Sequence, residues 1–249
     1  MRGRLLTQKT LAMAIGAMVV PAIPVRAQTI TPPPAGALRP YVFPSVEQFQ
    51  LPNGLKVILV EKHTLPVVEG RLILDAGAMR EPAAKSGLAS LTGSLLSEGT
   101  GDMTGADIAR AMDVFGAQYF TNGFYSGTIA DVVALKTVFP QALSLAARTV
   151  TAPSFPVGEI SRIKNEALAN YQQTHARTAG LADDAFFRAA FDSTAPFSRP
   201  ASGTPVTISA LTRDDVINWH RTMYAPSAAT LLLVGDLTPA EARSIAQQA

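Results

Sequence analysis

The chain contains no cysteine. That excludes disulfide bridges, thiolate metal ligands and lipid attachment through a thiol, and it leaves the redox compartment open. Histidine is nearly as scarce: His63, His175 and His220 are the full set. No two of them stand at the spacing that brings two imidazoles to one metal from a single helix. A structural or solvent-facing role is the expectation for each. Charged residues make up only 16% of the chain, with no basic cluster and no basic-aromatic interleaving, so no nucleic-acid surface is expected. No acidic residue precedes Glu47. No repeat of about 20–50 residues is present that would indicate a solenoid.

What is present begins with a leader. Arg2, Arg4 and Lys9 precede an apolar run from Leu11 to Val25, and Val25-Arg26-Ala27 resembles a small-x-small cleavage site. Residues 1–27 therefore read as a secretory signal peptide, with a mitochondrial presequence as the competing reading. The run is too short for an ordinary membrane-spanning helix, so no stable span is expected after cleavage. The leader's four basic residues outnumber the formal net charge of +2, which leaves the remainder slightly acidic. Residues 28–46, with Pro32-Pro33-Pro34, Pro40 and Pro44, read as an extended linker or arm. Residues 47–249 read as one domain, since 47% hydrophobic content suits a sizeable core.

Periodicity places strands at 47–51, 55–61 and 67–75, and helices at 86–97 and 104–114. A hairpin at 117–122 and 125–132 is expected to turn at Asn122-Gly123, a strong short-range hairpin signal. Helices follow at 135–149, 156–176, 180–192 and 211–223, then a strand at 229–234 and a closing helix from about Thr238. Hairpins with helices in blocks predict an α+β fold: a mainly antiparallel sheet with helices stacked on one face. The last helix meets no glycine or proline before Ala249, which is read as a sign of truncation or of a half-size subunit.

The most informative segment is Gly87-Leu-Ala-Ser90-Leu-Thr-Gly93-Ser94-Leu-Leu-Ser-Glu-Gly99-Thr100. It resembles the active-site helix of the pitrilysin and insulinase-type zinc peptidases, mitochondrial processing peptidase among them. Those inverzincins carry His-x-x-Glu-His on one helix, two ligands and a general base on a shared face. Laid over that motif, Ser90 and Ser94 stand at the two histidine positions and Gly93 at the general-base position. Four further segments keep the family's order: Leu51-Pro-Asn-Gly54 with its strands, Asp75-Ala-Gly77, Met103 to Ala117, and Tyr224 to Leu237.

The family's third ligand is a glutamate on a later helix. The resemblance puts Asn170 there, with Glu166 one turn earlier as the alternative register. It thus implies a pitrilysin-type N-terminal peptidase-like domain, the second domain absent. It implies no catalytic residue and no metal in this chain, and zinc only in an active partner. The implied role is the non-catalytic subunit of a heterodimer, helping an active zinc-peptidase homologue to enclose peptide substrates. The location would be the periplasm of a Gram-negative bacterium, or alternatively a mitochondrion. A free-standing envelope peptide-binding or assembly protein, and a non-functional fragment, are the rivals.

Further local readings accompany this. Ser90 and Ser94 lack the base and oxyanion site of a serine nucleophile and read as small residues facing a vacated pocket. Gly93 costs about 1 kcal/mol relative to alanine inside a helix and would let another backbone or side chain approach the emptied site. Tyr119, Phe120 and Thr121 lie on the strand that the resemblance makes an open, peptide-binding sheet edge; core or interface packing is the alternative. Because the helical spacing is retained, placing His at 90 and 94 and Glu at 93 and 170 is expected to create zinc affinity.

Overall fold

The computed structural model describes residues 44–249, so the leader and most of the proline-rich arm lie outside the described residues. Six strands form the main sheet: β1 (Val46–Gln50), β2 (Lys56–Glu61), β3 (Val67–Leu74), β6 (Gln118–Gly123), β7 (Thr128–Leu135) and β8 (Ala229–Gly235). Their spatial order is β1-β2-β8-β3-β7-β6. Only the β2–β8 pairing is parallel; every other neighbouring pair is antiparallel. The two-residue strands β4 (Gly99–Thr100) and β5 (Met103–Thr104) form a separate short ladder.

Eight α-helices accompany the sheet among the described residues: α1 (Leu88–Leu95), α2 (Gly105–Phe115), α3 (Phe139–Thr151), α4 (Val157–His175), α5 (Thr178–Ala190), α6 (Pro205–Ala210), α7 (Arg213–Met223) and α8 (Pro239–Gln248). Threonine starts four of them. Thr104, Thr204, Thr212 and Thr238 each accept from the amide three residues on, and that residue's side chain accepts in return. Each reciprocal cap satisfies two amides the helix itself leaves unpaired. At the other end of α2, Gly116 adopts φ +60°, the left-handed geometry that stops a helix cheaply only at glycine.

Alternation along the strands sorts the sheet into two faces. Val57, Leu59, Val68, Leu74, Ala130, Val132, Ala134, Ala229, Leu231 and Leu233 are buried on one face. Helical residues such as Leu91, Phe139, Leu143, Val150, Val216 and Trp219 complete the core. Gly70 lets the Phe139 ring lie on the sheet: an added Cβ would come within 2.9 Å of its Cζ. The opposite face carries Ile58, Val60, Ile73, Ile129, Val133, Leu232 and Val234 together with Glu69, Arg71 and Asp131, and all of these are at least partly exposed. Arg71 binds both acids there, Asp131 through two nitrogens. Ile73 is 42% exposed.

The α+β expectation holds, and most elements fall within a few residues of their predicted bounds. Three differ. Asn122-Gly123 ends β6 in register with Ile129 and Thr128, and the turn is made by residues 124–127. The glycine is used for close approach instead of turning. Helix α1 begins only after Gly87, whose φ of +97° lies outside helical geometry. Helix α6 was not expected, though its Thr204-Pro205 start is a legible signal. No helix among the described residues is long and apolar enough to cross a membrane.

Leu233 is fully buried where β8 lies between β2 and β3. Leu233→Ala should lower unfolding stability by about 2–5 kcal/mol, the range for a truncated core leucine. Urea denaturation will measure it; a loss below about 1 kcal/mol would contradict the central position of β8.

Candidate functional site

Helix α1 carries the segment that resembles a zinc-peptidase active site; a carboxylate holds its start and strand backbone its second half. Gly87 at its start has no side chain with which to cap. The carboxylate of Glu81 does so from six residues upstream: Oε2 accepts from the Gly87 amide at 3.0 Å, and Oε1 from the Ala89 amide. A negative charge at a helix start is favoured by the helix dipole. Glu81 is nevertheless only 7% exposed. Burial raises its pKa to about 7, against the two amide bonds and the nearby Arg199 charge, which favour ionisation. Ser86 donates to the Pro200 carbonyl at 3.2 Å. A Cβ on Gly203 would lie 3.0 Å from the Ser86 carbonyl carbon, so this segment also rests on the α1 entry. Lys85 pairs with Asp215 of α7.

The other contact of α1 is with strand β6. A Cβ on Gly93 would overlap the Gly123 amide nitrogen and lie 2.6 Å from the Asn122 carbonyl carbon. One on Gly123 would lie 2.5 Å from the Ala89 carbonyl carbon and 2.8 Å from the Ser90 nitrogen. Helix backbone and strand backbone therefore touch through two glycines. Ser94, one residue on, donates to Asn122 Oδ1 at 3.3 Å, and that oxygen also accepts from the Gly123 amide at 2.9 Å.

The remaining sequence-predicted positions do not converge on this contact. Asn170 and Glu166 are exposed on α4. Glu166 accepts from Arg162 Nη1 at 2.6 Å. The same guanidinium reaches Glu159 at 2.6 Å and Glu98, just beyond α1, at 2.7 Å. Those acids, Glu159 first and then Glu98, hold Arg162 firmly protonated. The cation that ties α4 to the end of α1 is thus a guanidinium. On β6, Tyr119 and Thr121 turn toward the helices: burial pushes the Tyr119 phenol's pKa upward, and its oxygen contacts Thr149 Oγ1. Phe120, on the opposite face, is 52% exposed. Of the three edge residues, Phe120 is exposed, Tyr119 partly buried and Thr121 buried.

None of the three histidines bonds to Ser90 or Ser94. His63 pairs with Asp236 and Glu61, His175 with Asp184 and the Tyr171 carbonyl, and His220 with the Val150 carbonyl. No nucleophile–base pair is therefore assembled at α1. Sequence reasoning did not single out Glu81 or Arg162. Arg80-Glu81-Pro82 shortly before an uncapped helix was the available hint for Glu81. The i+4 spacing to Glu166 was the hint for Arg162.

Residues 56–201, more than half of the chain, match the family description Insulinase (Peptidase family M16). The chain belongs to that family. Residues 210–249 match its companion description, Peptidase M16 inactive domain. A solved structure titled a peptidase M16 inactive domain, from Pseudomonas fluorescens, superposes with a TM-score of 0.77 at 30% identity over 82% of this chain and 49% of that one. A protease from Helicobacter pylori shares the fold with a TM-score of 0.78 at 22% identity, over 83% of this chain and 50% of that one. Among curated relatives, the mitochondrial-processing peptidase subunit alpha-2 of Dictyostelium discoideum is 25% identical over 76% of this chain and 42% of its own length. An uncharacterized zinc protease of Streptomyces coelicolor is 26% identical over 78% and 42%. The chain spans under half the length of these curated relatives.

Family M16 brings zinc into question, and the residues here do not fit it. Zinc sites are built from imidazole, thiolate and carboxylate, whereas Ser90 and Ser94 offer neutral hydroxyls and Gly93 offers nothing. Among the described residues, no group of three or more His, Asp or Glu gathers as a metal site. The expectation that restored ligands would recreate affinity needs correction at one position. Spacing along the helix is retained, but a glutamate at 93 has no room while the helix rests on Gly123.

Two outcomes follow. Gly93→Ala should destabilise by about 1–3 kcal/mol through overpacking, despite alanine's better helix propensity. Gly158→Ala, with nothing within 4 Å of the added Cβ, should cause no loss; equal stability of the two variants would refute the close helix–strand contact. For Glu81, a folded pKa above the unfolded one means the folded state holds the extra proton between about 4.5 and 7. Stability from this group is therefore lost as pH rises through that window, by about 3 kcal/mol. Denaturant melts of wild type and Glu81→Gln from pH 4.5 to 8 should diverge accordingly; parallel curves would show that burial does not perturb Glu81.

Proposed function

We propose that this chain is a non-catalytic M16 subunit that pairs with an active zinc-peptidase homologue. It supplies part of the wall that encloses peptide substrates, while hydrolysis takes place at the partner's zinc. The observation that carries this reading is the combination of an intact M16 fold with a closed site. The helix, the edge strand and their spacing remain, yet the donor positions hold Ser90, Ser94 and Asn170, and Gly93 is packed against Gly123. Damage without selection would strike core positions and tight glycines as readily as ligands.

The edge of β6 would contribute main-chain hydrogen bonds to an extended peptide, with Phe120 beside it. The half-exposed aliphatic face of the sheet suits a large, partly apolar partner surface. Export to a periplasm is part of the proposal and rests on the leader, with a mitochondrial address as its alternative. A stand-alone peptide-binding protein of the envelope remains the second reading, supported by the same edge strand.

Three measurements test the proposal. Elemental analysis after dialysis against trace zinc should find no stoichiometric metal; one tightly held ion per chain would defeat the non-catalytic reading. Alone, the chain should be poorly soluble and peptidase-inactive. Mixed with its active homologue, it should elute as a larger complex and change the rate of peptide hydrolysis. No complex and no change of rate would favour the stand-alone binder.

A further inference from the structure

Helix α5 is attached in an unusual way. None of its thirteen residues is buried, so little apolar surface holds it in place. It follows α4 after two intervening residues, and the join is tight: a Cβ on Gly180 would lie 2.8 Å from Thr174 Cγ2 and 3.0 Å from the Thr174 carbonyl carbon. At that join stands His175, the last residue of α4. Its Nδ1 lies 2.8 Å from the Tyr171 carbonyl, and its Nε2 lies 2.7 Å from Asp184 Oδ2, in the second turn of α5. The ring stacks on Tyr171 with centroids 3.7 Å apart.

Both of these partners are acceptors. A neutral imidazole has one N–H and can satisfy only one of them; the imidazolium satisfies both. A helix C-terminus also favours a cation. The side chains of His175 and Asp184 are 18% and 21% exposed, so the pair is largely shielded from solvent. The charged groups facing the ring are Asp184 and, on the same helix, Arg188, which approaches Asp184 at 4.0 Å. From α4 the ring meets only the Tyr171 carbonyl and phenol ring. Tyr125, on the β6–β7 turn, senses the Asp184 charge. At its far end α5 is held by aromatic contacts, Phe187 with Phe191 and Phe191 with Phe197, the last also meeting Tyr125 at 5.2 Å.

We infer that His175 is a proton-operated clamp: as an imidazolium it docks α5 onto α4, and on losing its proton it frees the first turns of α5. The bond to Asp184, then that to the Tyr171 carbonyl, raises the pKa of His175 above its ordinary value. The clamp's contribution is therefore fully present below about pH 6.5 and is lost as pH rises through the higher folded pKa. The other helices are anchored by buried side chains, so the His175 transition is local to α5; the loss of stability through Glu81 is separate and does not depend on His175.

The test uses the full chain. An NMR titration of the His175 ring, assigned by comparison with H175Q, should give a midpoint above about 6.5. Hydrogen exchange of residues 178–190, corrected for intrinsic rates, should lose protection across the same midpoint. The loss should be roughly two- to fivefold, the scale of one partly shielded ion pair. Protection of α3 and the central strands should follow one and the same profile in wild type and H175Q, the Glu81-dependent loss included. H175Q and D184N should each abolish the step while leaving the protection of α3 unchanged. A midpoint at or below about 6.5, or an α5 profile that changes with pH identically in wild type and H175Q, would overturn the clamp.

Discussion

The sheet has no middle until its last strand arrives. Strand β8 is drawn from residues 229–235, yet it lies between β2 and β3, both complete by residue 74. Its fully buried Leu233 faces Gly70 on one neighbour and Leu59 on the other. Without β8, β2 and β3 would each present an unpaired row of amides and carbonyls beside an apolar face, a configuration that invites aggregation. The helices between β7 and β8 must all be accommodated before that gap closes. Long-range closure of this kind is slow, because the loop entropy is lost before the contacts form.

On that platform α1 buries Leu88, Leu91 and Leu95, and two further contacts set its position. Glu81 satisfies its first amides from outside the helix, and Gly93 lays it on Gly123. Arg162 then ties the segment just beyond it to α4 through Glu98. Each of these contacts is ordinary structural chemistry: a buried carboxylate cap, a backbone contact and a guanidinium among three carboxylates. These contacts hold α1 in place through the chain's own side chains and backbone.

Much of this was legible in the sequence because it rests on local patterns. Alternation in Ala229–Gly235 and Thr128–Leu135, and the threonine starts of α2, α7 and α8, place those elements to within a few residues. Ser90, Gly93 and Ser94 were singled out by the segment's resemblance to the family's active-site helix. What could not be read is what one segment does to another far away. Asn122-Gly123 looks like a turn locally, and only the arrival of α1 explains why a glycine ends β6. Likewise Glu81 is an unremarkable loop acid until Gly87 fails to cap its own helix, and the Tyr119 phenol is partly buried with its oxygen against Thr149 of α3.

The contact between Gly93 and Gly123 also acts as a ratchet. Reacquiring a general base at position 93 would require the helix to lift from the strand. Lifting it forfeits packing before any metal is present to compensate. Histidines introduced first at 90 and 94 would bring two ligands to a site that still lacks its base and its third ligand, while the Ser94–Asn122 bond is lost. A side chain at position 93 and the close helix–strand contact exclude each other, so the gap between Gly93 and Gly123 decides which of the two the helix can have.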